Sequence, residues 1–207
     1  MPNTTSFGLF LTAAIILAIT PGPGIFYVLA RSLKGGRGEG IASSLGTALG
    51  GLVHVFAAAL GVSAILSTSA VAFALVKYIG AAYLIYLGIR TLMSNEELEL
   101  HSSLEQTDMR RAFGQGITTE VLNPKTALFF LAFIPQFVDP GGNVFSQFVV
   151  LGSISVFLNT SADFVVALVA GPIGERLRSS ARLRRRQRIA SGGALIGLGA
   201  YVAASGK

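Results

Sequence analysis

Three long stretches of this 207-residue chain contain no charged side chain: residues 1–30, 41–76 and 189–206. A helix needs about 20 apolar residues to cross the hydrocarbon core of a bilayer. The 36 residues of 41–76 are therefore too many for one span and must fold back once. The chain as a whole is 52% hydrophobic and 13% charged, against roughly 25% charged in soluble domains. These features predict an all-α integral membrane protein.

The apolar segments and the polar connections between them predict six transmembrane helices. Their approximate bounds are 6–31, 41–66, 70–93, 113–138, 144–174 and 189–206. The first three helices form one repeat over about 6–93, and the last three form a second over about 113–206. A polar loop at 94–111 joins the repeats, so the prediction is a single membrane domain covering 1–207.

Basic residues concentrate in the first, third and fifth connections, and seven arginines lie between Arg176 and Arg188. Basic loops face the cytoplasm, so we expect a multi-pass protein with both termini outside. Because each half has an odd number of spans, the two halves start on opposite sides and the repeat is inverted. The run Arg182 to Arg188 can attract anionic lipid headgroups. Its place beside an apolar segment argues against nucleic-acid binding, despite a net charge of +6.

Proline interrupts two of the predicted helices at corresponding places. Span one contains Thr20-Pro21-Gly22-Pro23-Gly24, and span four contains Asn123-Pro124-Lys125. Proline removes a backbone donor and clashes with the preceding turn, and a lipid-facing helix has no water to satisfy the carbonyls that this frees. Such breaks occur where they line a cavity, and in the paired halves of a transporter they point to a substrate site. Helices 1 and 4 are therefore predicted to be broken around a site.

The interrupted segments carry groups that can bind the charges of a small zwitterion. The half-helix that begins near Thr20–Gly24 presents free N–H donors and a positive dipole end, which suit a carboxylate. A simple kink that shapes packing is the alternative. Lys125 follows the second break, and it either binds an anionic group as a point charge or forms a salt bridge that holds the two halves together.

Span five places Ser155, Asn159 and Asp163 on one helix face, because they are four residues apart. Ionisable groups inside spans usually mark a pathway, so we expect Asp163 to lie near Lys125 or Glu120. Asp163 is either a site for a substrate ammonium or a proton, or a structural partner of Lys125. Glu120 is a second candidate for proton coupling, although its position nearer the cytoplasmic face favours plain solvation.

Three further residues are candidates for structural or gating roles. His54 follows Ala42, Gly46 and Gly50 on span two, and the four-residue spacing puts all of them on one helix face. A packed neutral histidine that bonds to another helix is expected there rather than a proton relay. Lys77 lies near the outer end of span three and can snorkel outward. Tyr83 can line the cavity, although packing or interface anchoring is the default for a tyrosine at this position.

Three motifs occur in order along nearly the whole chain. They are Thr20-Pro21-Gly22-Pro23, the segment Lys77-Tyr78-Ile79-Gly80-Ala81-Ala82-Tyr83-Leu84, and Asn123-Pro124-Lys125. Together they resemble the LysE/RhtB family of amino-acid exporters. The resemblance implies a bacterial inner-membrane exporter of amino acids or their derivatives, driven by the proton gradient, in which both proline motifs meet near the centre of a compact bundle. It does not transfer the identity of the substrate.

The resulting hypothesis is alternating access by two inverted three-helix halves. The substrate carboxylate meets the amides freed near Pro21–Gly24 and the ammonium of Lys125, and its amino group meets Asp163 with help from Asn159. A proton on Asp163 or Glu120 weakens cation binding and couples export to inward proton flow.

Two other functions stay open at this stage, namely efflux of a metal cation and a membrane scaffold without transport. The chain has no cysteine and two histidines, which disfavours a soft-metal site. No metalloprotease or nucleophile-elbow motif occurs, so an enzyme is not expected, and no cofactor is predicted. A homodimer stays open as well.

Overall fold

The computed structural model describes residues 4–68, 70–93, 108–139 and 141–204. Every regular element within these ranges is a helix, which confirms the predicted all-α class. The α-helices are α1 (Thr4–Ile19), α2 (Pro23–Thr68), α3 (Ala70–Met93), α4 (Met109–Val121), α5 (Pro124–Leu128), α6 (Val144–Ser179) and α7 (Ala181–Ala204). After α5 the chain continues through a π-helical turn, Phe129–Phe133, and a 3-10 turn, Ile134–Phe137.

Three segments of the described chain are long and apolar enough to cross a membrane. They are Pro23–Val62, Ala74–Met93 and Val144–Ala170. A fourth candidate is the pair Met109–Val121 and Pro124–Phe137, which is bent by 46° at the break between its two parts. The apolar helices Thr5–Ile19 and Arg188–Ala204 are shorter. Length and composition thus support an integral membrane protein with at least three spans.

α2 folds back on itself at Gly36, whose φ of 78° and ψ of −173° belong to a region that is essentially restricted to glycine. A Cβ atom built on Gly24 would lie 3.8 Å from Thr47 Cγ2, so the two arms of α2 run antiparallel and in contact. The connection predicted between the spans 6–31 and 41–66 is therefore a turn at one residue. Glycine reverses the chain without extra residues, and both helices continue up to it.

Small residues on α2 let α4 approach closely. A Cβ atom on Gly46 would collide with the Phe113 carbonyl oxygen, and one on Gly50 would lie 2.8 Å from both Glu120 Cβ and the Ile117 carbonyl oxygen. The two helices are therefore in backbone contact along this face, as expected for small residues spaced four apart.

α3 and α7 form a second close pair. A Cβ atom on Gly88 would lie 2.7 Å from the Gly192 carbonyl oxygen. Among the described residues, no atom lies within 4 Å of a Cβ atom built on Gly193 or Gly197, the next glycines of α7. The face of α7 that meets α3 therefore carries Gly192 rather than these two glycines.

The arginine-rich segment is helical rather than a loop. α6 extends to Ser179 and α7 begins at Ala181, eight residues before the predicted start at 189. Arginine is a good helix former, so the helix continues past its apolar part. Contact between this segment and lipid headgroups stays a prediction. Of the predicted polar loop at 94–111, residues 94–107 lie outside the described ranges, and Asp108 caps α4 by accepting from Arg111 N at 2.7 Å.

Candidate functional site

The two helix interruptions are in direct contact. α1 ends at Ile19 and α2 begins at Pro23, while Asn123 separates α4 from α5. Lys125 Nζ, from the second interruption, donates to the Thr20 carbonyl oxygen at 2.7 Å. It also donates to the Leu17 carbonyl oxygen at 3.0 Å. The lysine therefore binds the end of α1 directly.

The sequence explains why α1 needs this donor. In a continuous helix the Leu17 carbonyl would accept from the N–H of residue 21, but proline has none. Thr20 N donates to the Ile16 carbonyl oxygen at 3.0 Å, which is the regular helical bond, and also to the Leu17 carbonyl oxygen at 3.2 Å. Lys125 supplies a further donor to Leu17. An orphaned helix end buried in a protein requires such a partner.

The second interruption follows the same logic. The Glu120 carbonyl lies four residues before Pro124, so it too lacks its helical donor. Asn123 N reaches it at 3.0 Å, and His54 Nε2 lies 2.9 Å from it. The His54 ring also stacks on Phe130, with centroids 6.2 Å apart. His54 thus occupies the packed, hydrogen-bonded place that the sequence suggested.

Asn123 organises the start of α5. Its Oδ1 accepts from Lys125 N at 3.1 Å, which is the bond of a helix N-cap. Its Nδ2 donates to Glu120 Oε2 at 3.0 Å. One side chain therefore fixes both the backbone of Lys125 and the carboxylate of Glu120.

The expectation that Glu120 is solvated is wrong. Its side chain is buried, and Oε1 accepts from Thr126 Oγ1 at 2.6 Å. Oε2 would lie 2.6 Å from a Cβ atom built on Gly24, so the carboxylate sits against the first turn of α2. This position is electrostatically favourable because the N-terminal end of a helix is positive. The carboxylate already occupies the end of the half-helix that the sequence suggested for a substrate anion.

Asp163, on α6, faces the same space as Glu120 and Lys125. It is buried, and its Oδ2 accepts from Thr47 Oγ1 at 2.8 Å. Thr47 belongs to the second arm of α2, so this bond joins α2 to α6. Asn159 lies one turn before Asp163 and faces the same space, as the four-residue spacing predicted.

A cavity of about 20 Å³ separates these groups, which is room for about one water molecule. Its polar and charged lining consists of Thr47, Glu120, Asn123, Lys125, Thr126, Asn159, Thr160 and Asp163, and its glycine lining includes Gly22 and Gly24. The structure therefore brings Glu120, Lys125 and Asp163 into one small buried space. In this conformation it is too small for an amino acid.

Two of the three candidates for structural or gating roles lie apart from these polar groups. Lys77 does not snorkel: its side chain is buried, with Nζ 5.3 Å from the centroid of the Tyr78 ring. Tyr83 packs against Tyr86, with ring centroids 5.7 Å apart. Neither lines the cavity. The π-face of Tyr78 offers Lys77 a favourable partner within the helix, so the side chain has no need to reach the surface.

A second polar cluster, which the sequence analysis did not single out, lies at the turn of α2. Arg31 is buried, and it donates through Nη2 to Gln115 Oε1 and through Nε to the Tyr27 hydroxyl at 3.3 Å. The Tyr27 hydroxyl donates to the Ala112 carbonyl at 2.9 Å. Arg31 Nη1 also lies 3.6 Å from Glu39 Oε2 across the turn. The cluster thus ties both arms of α2 to α4.

Thr47 and Thr126, whose hydroxyls bind the two buried carboxylates, were not among the predicted site residues. Thr126 lies three residues after Asn123, on the same side of the short helix α5. Thr47 lies four residues after Ser43 on α2, and this spacing was the available signal. It was weak because most threonines in such helices bond to their own backbone.

Comparison with known proteins identifies the family. A family profile described as LysE type translocator matches residues 15–206. The chain belongs to the LysE type translocators. These are transport proteins, so this translocator is not an enzyme. The resemblance noted in the three sequence motifs is thereby confirmed.

Several relatives are similar over most of their length. The translocator is 34% identical to an uncharacterised membrane protein of Pseudomonas aeruginosa over 203 residues, covering 95% of this chain and 90% of that protein. It is 28% identical to an uncharacterised membrane protein of Vibrio cholerae over 94% of each chain. It is 29% identical to the homoserine/homoserine lactone efflux protein of Salmonella typhimurium, over 79% of this chain and 83% of that one. No solved structure matches the translocator.

Proposed function

We propose that this translocator exports amino acids or their derivatives across the bacterial inner membrane by proton-coupled alternating access. The observation that carries the proposal is the contact between the two interrupted helices around a buried cavity that contains both signs of charge. Intramembrane ionisable groups of this kind usually mark a substrate or proton pathway. The relatives named homoserine/homoserine lactone efflux proteins support the substrate class.

The proposal includes six spans arranged as two inverted repeats. α1 with the first arm of α2 forms the first span, and the second arm forms the second. α3, the bent unit that runs from α4 to Phe137, α6 and α7 form the others. The reversal at Gly36 supports this count, because the 40 residues of Pro23–Val62 would extend about 60 Å as one straight helix, twice the hydrocarbon thickness.

In the proposed binding mode the substrate ammonium pairs with Asp163 and contacts Asn159. Its carboxylate binds Lys125 and the amides at the start of α2, near Gly24. The Glu120 carboxylate lies at that helix end in this structure, and Lys125 Nζ binds two carbonyls. Substrate entry therefore requires both side chains to move, which links occupancy of the site to a change in the contact between the two halves. Asp163 or Glu120 carries the coupled proton.

Export assays test this proposal. Cells fed dipeptides, with and without the protein, are assayed for intracellular accumulation and relief of toxicity across a panel of amino acids, homoserine lactone and metal salts. Asp163→Asn and Lys125→Ala are expected to lower export by roughly tenfold or more, because a hydrogen bond to a charged group contributes about 1.5–3 kcal/mol. Asp139→Asn and Lys34→Ala are the matched controls, since both positions are exposed.

Wild-type export by both site variants at normal protein levels would show that the site is misassigned. If the protein relieves only the toxicity of metal salts, the result would favour cation efflux. If the wild-type protein relieves no toxicity at all, the result would favour a scaffold without transport.

A further inference from the structure

The Thr47 hydroxyl lies between two acceptors. Its Oγ1 is 2.8 Å from Asp163 Oδ2 and 2.9 Å from the Ser44 carbonyl oxygen. A threonine hydroxyl has one proton to donate and lone pairs with which to accept. Thr47 therefore cannot donate to both oxygens at once, and the two contacts correspond to two orientations of one O–H bond.

These two orientations match the two protonation states of Asp163. When Asp163 is ionised, Thr47 donates to its carboxylate. When Asp163 carries a proton on Oδ2, Asp163 donates to Thr47 Oγ1, and Thr47 turns its own proton to the Ser44 carbonyl. Ser44 lies inside a helix, where its carbonyl also accepts the regular bond from residue 48, so it is satisfied in both states. Asp163 Oδ2, Thr47 Oγ1 and the Ser44 carbonyl oxygen each keep a partner in both states, and no heavy atom has to move.

Glu120 lacks this property. The partner of its Oε2 is Asn123 Nδ2 at 3.0 Å, and an amide NH₂ donates but does not accept. Asn123 Nδ2 therefore cannot accept a hydrogen bond from a proton on Oε2. The hydroxyl on its Oε1, from Thr126, has no second acceptor within the described residues, in contrast to that of Thr47. The surroundings of Glu120 thus match a carboxylate in one state only.

We propose that Thr47 is a positioning residue which allows Asp163 to gain and lose a proton without movement of heavy atoms, and that Asp163 rather than Glu120 is the proton carrier. This inference rests on the proposed proton-coupled export. The charged groups that face Asp163 across the cavity are Glu120 from α4 and Lys125 from α5, while α1 has no ionisable side chain. In the cycle, ionised Asp163 binds the substrate ammonium. A proton from outside then binds Asp163 and releases the substrate, and the same proton leaves to the cytoplasm.

The experiment follows the protonation of Asp163 without needing a substrate. The full-length protein in lipid vesicles is titrated while the carboxylic-acid C=O stretching band is recorded by infrared difference spectroscopy. Asp163→Asn should remove the titrating band. Thr47→Val keeps the side-chain shape but removes the hydroxyl. Thr47→Val should raise the pH midpoint of that band by about one unit. The reason is that a hydrogen bond stabilises a charged acceptor more than a neutral one, and the difference in free energy corresponds to about one pH unit.

Thr47→Ser is the matched control, and it should titrate like the wild type because it retains a hydroxyl. Thr47→Ala replaces the valine variant if the latter fails to fold, and the same shift is expected from it. The pH dependence of export in inside-out vesicles should move in the same direction in the valine variant and stay unchanged in the serine variant.

A band that persists in Asp163→Asn, or a midpoint that is equal in the wild type and Thr47→Val, would overturn the inference. An equal shift in valine and serine variants would overturn it too, because it would show an effect of packing. If the band behaves as expected while the wild-type protein exports no amino acid, the assignment of Thr47 stands and the proposed function fails. If the wild-type protein exports an amino acid but this export does not depend on the Thr47 hydroxyl, the proposed function stands and the assignment of Thr47 fails.

Discussion

At the scale of single residues, Pro21 and Pro124 each leave one carbonyl without its helical donor, and a side chain from elsewhere in the chain binds it. Lys125 binds the Leu17 carbonyl, and His54 binds the Glu120 carbonyl. Leu17 and Glu120 are separated by the same 103 positions that separate the two prolines. The two carbonyls thus occupy corresponding positions relative to Pro21 and Pro124, although the side chains that bind them differ.

Gly24 permits the closest approach in the site. A Cβ atom there would lie 2.6 Å from Glu120 Oε2, and the carboxylate is held by two other donors, so it cannot yield freely. We expect Gly24→Ala to lower the free energy of unfolding by about 1–3 kcal/mol, as overpacking does in a close-packed interior. Thermal unfolding in detergent, with an unfolding curve for each variant, measures this.

Gly114→Ala is the control for Gly24→Ala. It also lies in a helix, but no atom of the described residues lies within 4 Å of its Cβ position, so alanine should stabilise the protein by about 0.5–1 kcal/mol through helix propensity. Equal effects at both positions would contradict the close approach of Glu120 to α2.

At the scale of secondary-structure elements, the turn of α2 decides how the first half of the molecule is assembled. Gly36 reverses the chain, and Arg31 then binds Glu39 across the turn and Gln115 on α4. Breaking a buried ion pair by removing one partner is costly, so this cluster holds both arms of α2 against α4. It lies about two helical turns from Glu120, along α4.

Gly36→Ala should destabilise the protein, because its φ of 78° and ψ of −173° cost a residue with a Cβ atom about 1–3 kcal/mol. The unfolding temperature in detergent is the measurement. Gly38→Ala, two residues along, is the control: its Cβ position lies 3.5 Å from Met109 Sδ, an ordinary contact. An unchanged unfolding temperature for Gly36→Ala would mean that the turn is formed differently.

At the scale of the whole molecule, the proposed inverted repeat places the turn of α2 and the turn before α6 on opposite sides of the membrane. Three proposed spans separate Arg37 from Asn143, both of which are exposed. The chain has no cysteine, so single cysteines can be introduced without altering the background.

Arg37→Cys and Asn143→Cys form a matched pair for mapping this topology. With an impermeant maleimide on intact cells, Asn143→Cys should be labelled at once and Arg37→Cys only after the membrane is opened. Labelling of both from the same side would be incompatible with an odd number of spans between them, and the reverse result would invert the predicted orientation.

The sequence indicated which polar side chains lie around the cavity, but not which atoms they bind. Asp163, Asn159, Lys125 and Glu120 could be singled out because charged and amide side chains are costly in apolar helices. Their partners could not be predicted. Lys125 binds carbonyls 105 and 108 positions away, and Asp163 binds a hydroxyl 116 positions away, so only the packing of helices brings these atoms together.

The amino-acid sequence was enough to predict a helical membrane protein and the places where its helices break, because proline and glycine act on the backbone within a few residues of themselves. The folded structure was needed to show that the two breaks touch, that Glu120 is buried against the first turn of α2, and that the turn of α2 needs a single glycine. Those outcomes depend on which helix faces pack together. Gly46 and Gly50, by letting α4 reach the backbone of α2, set the positions at which distant polar groups meet.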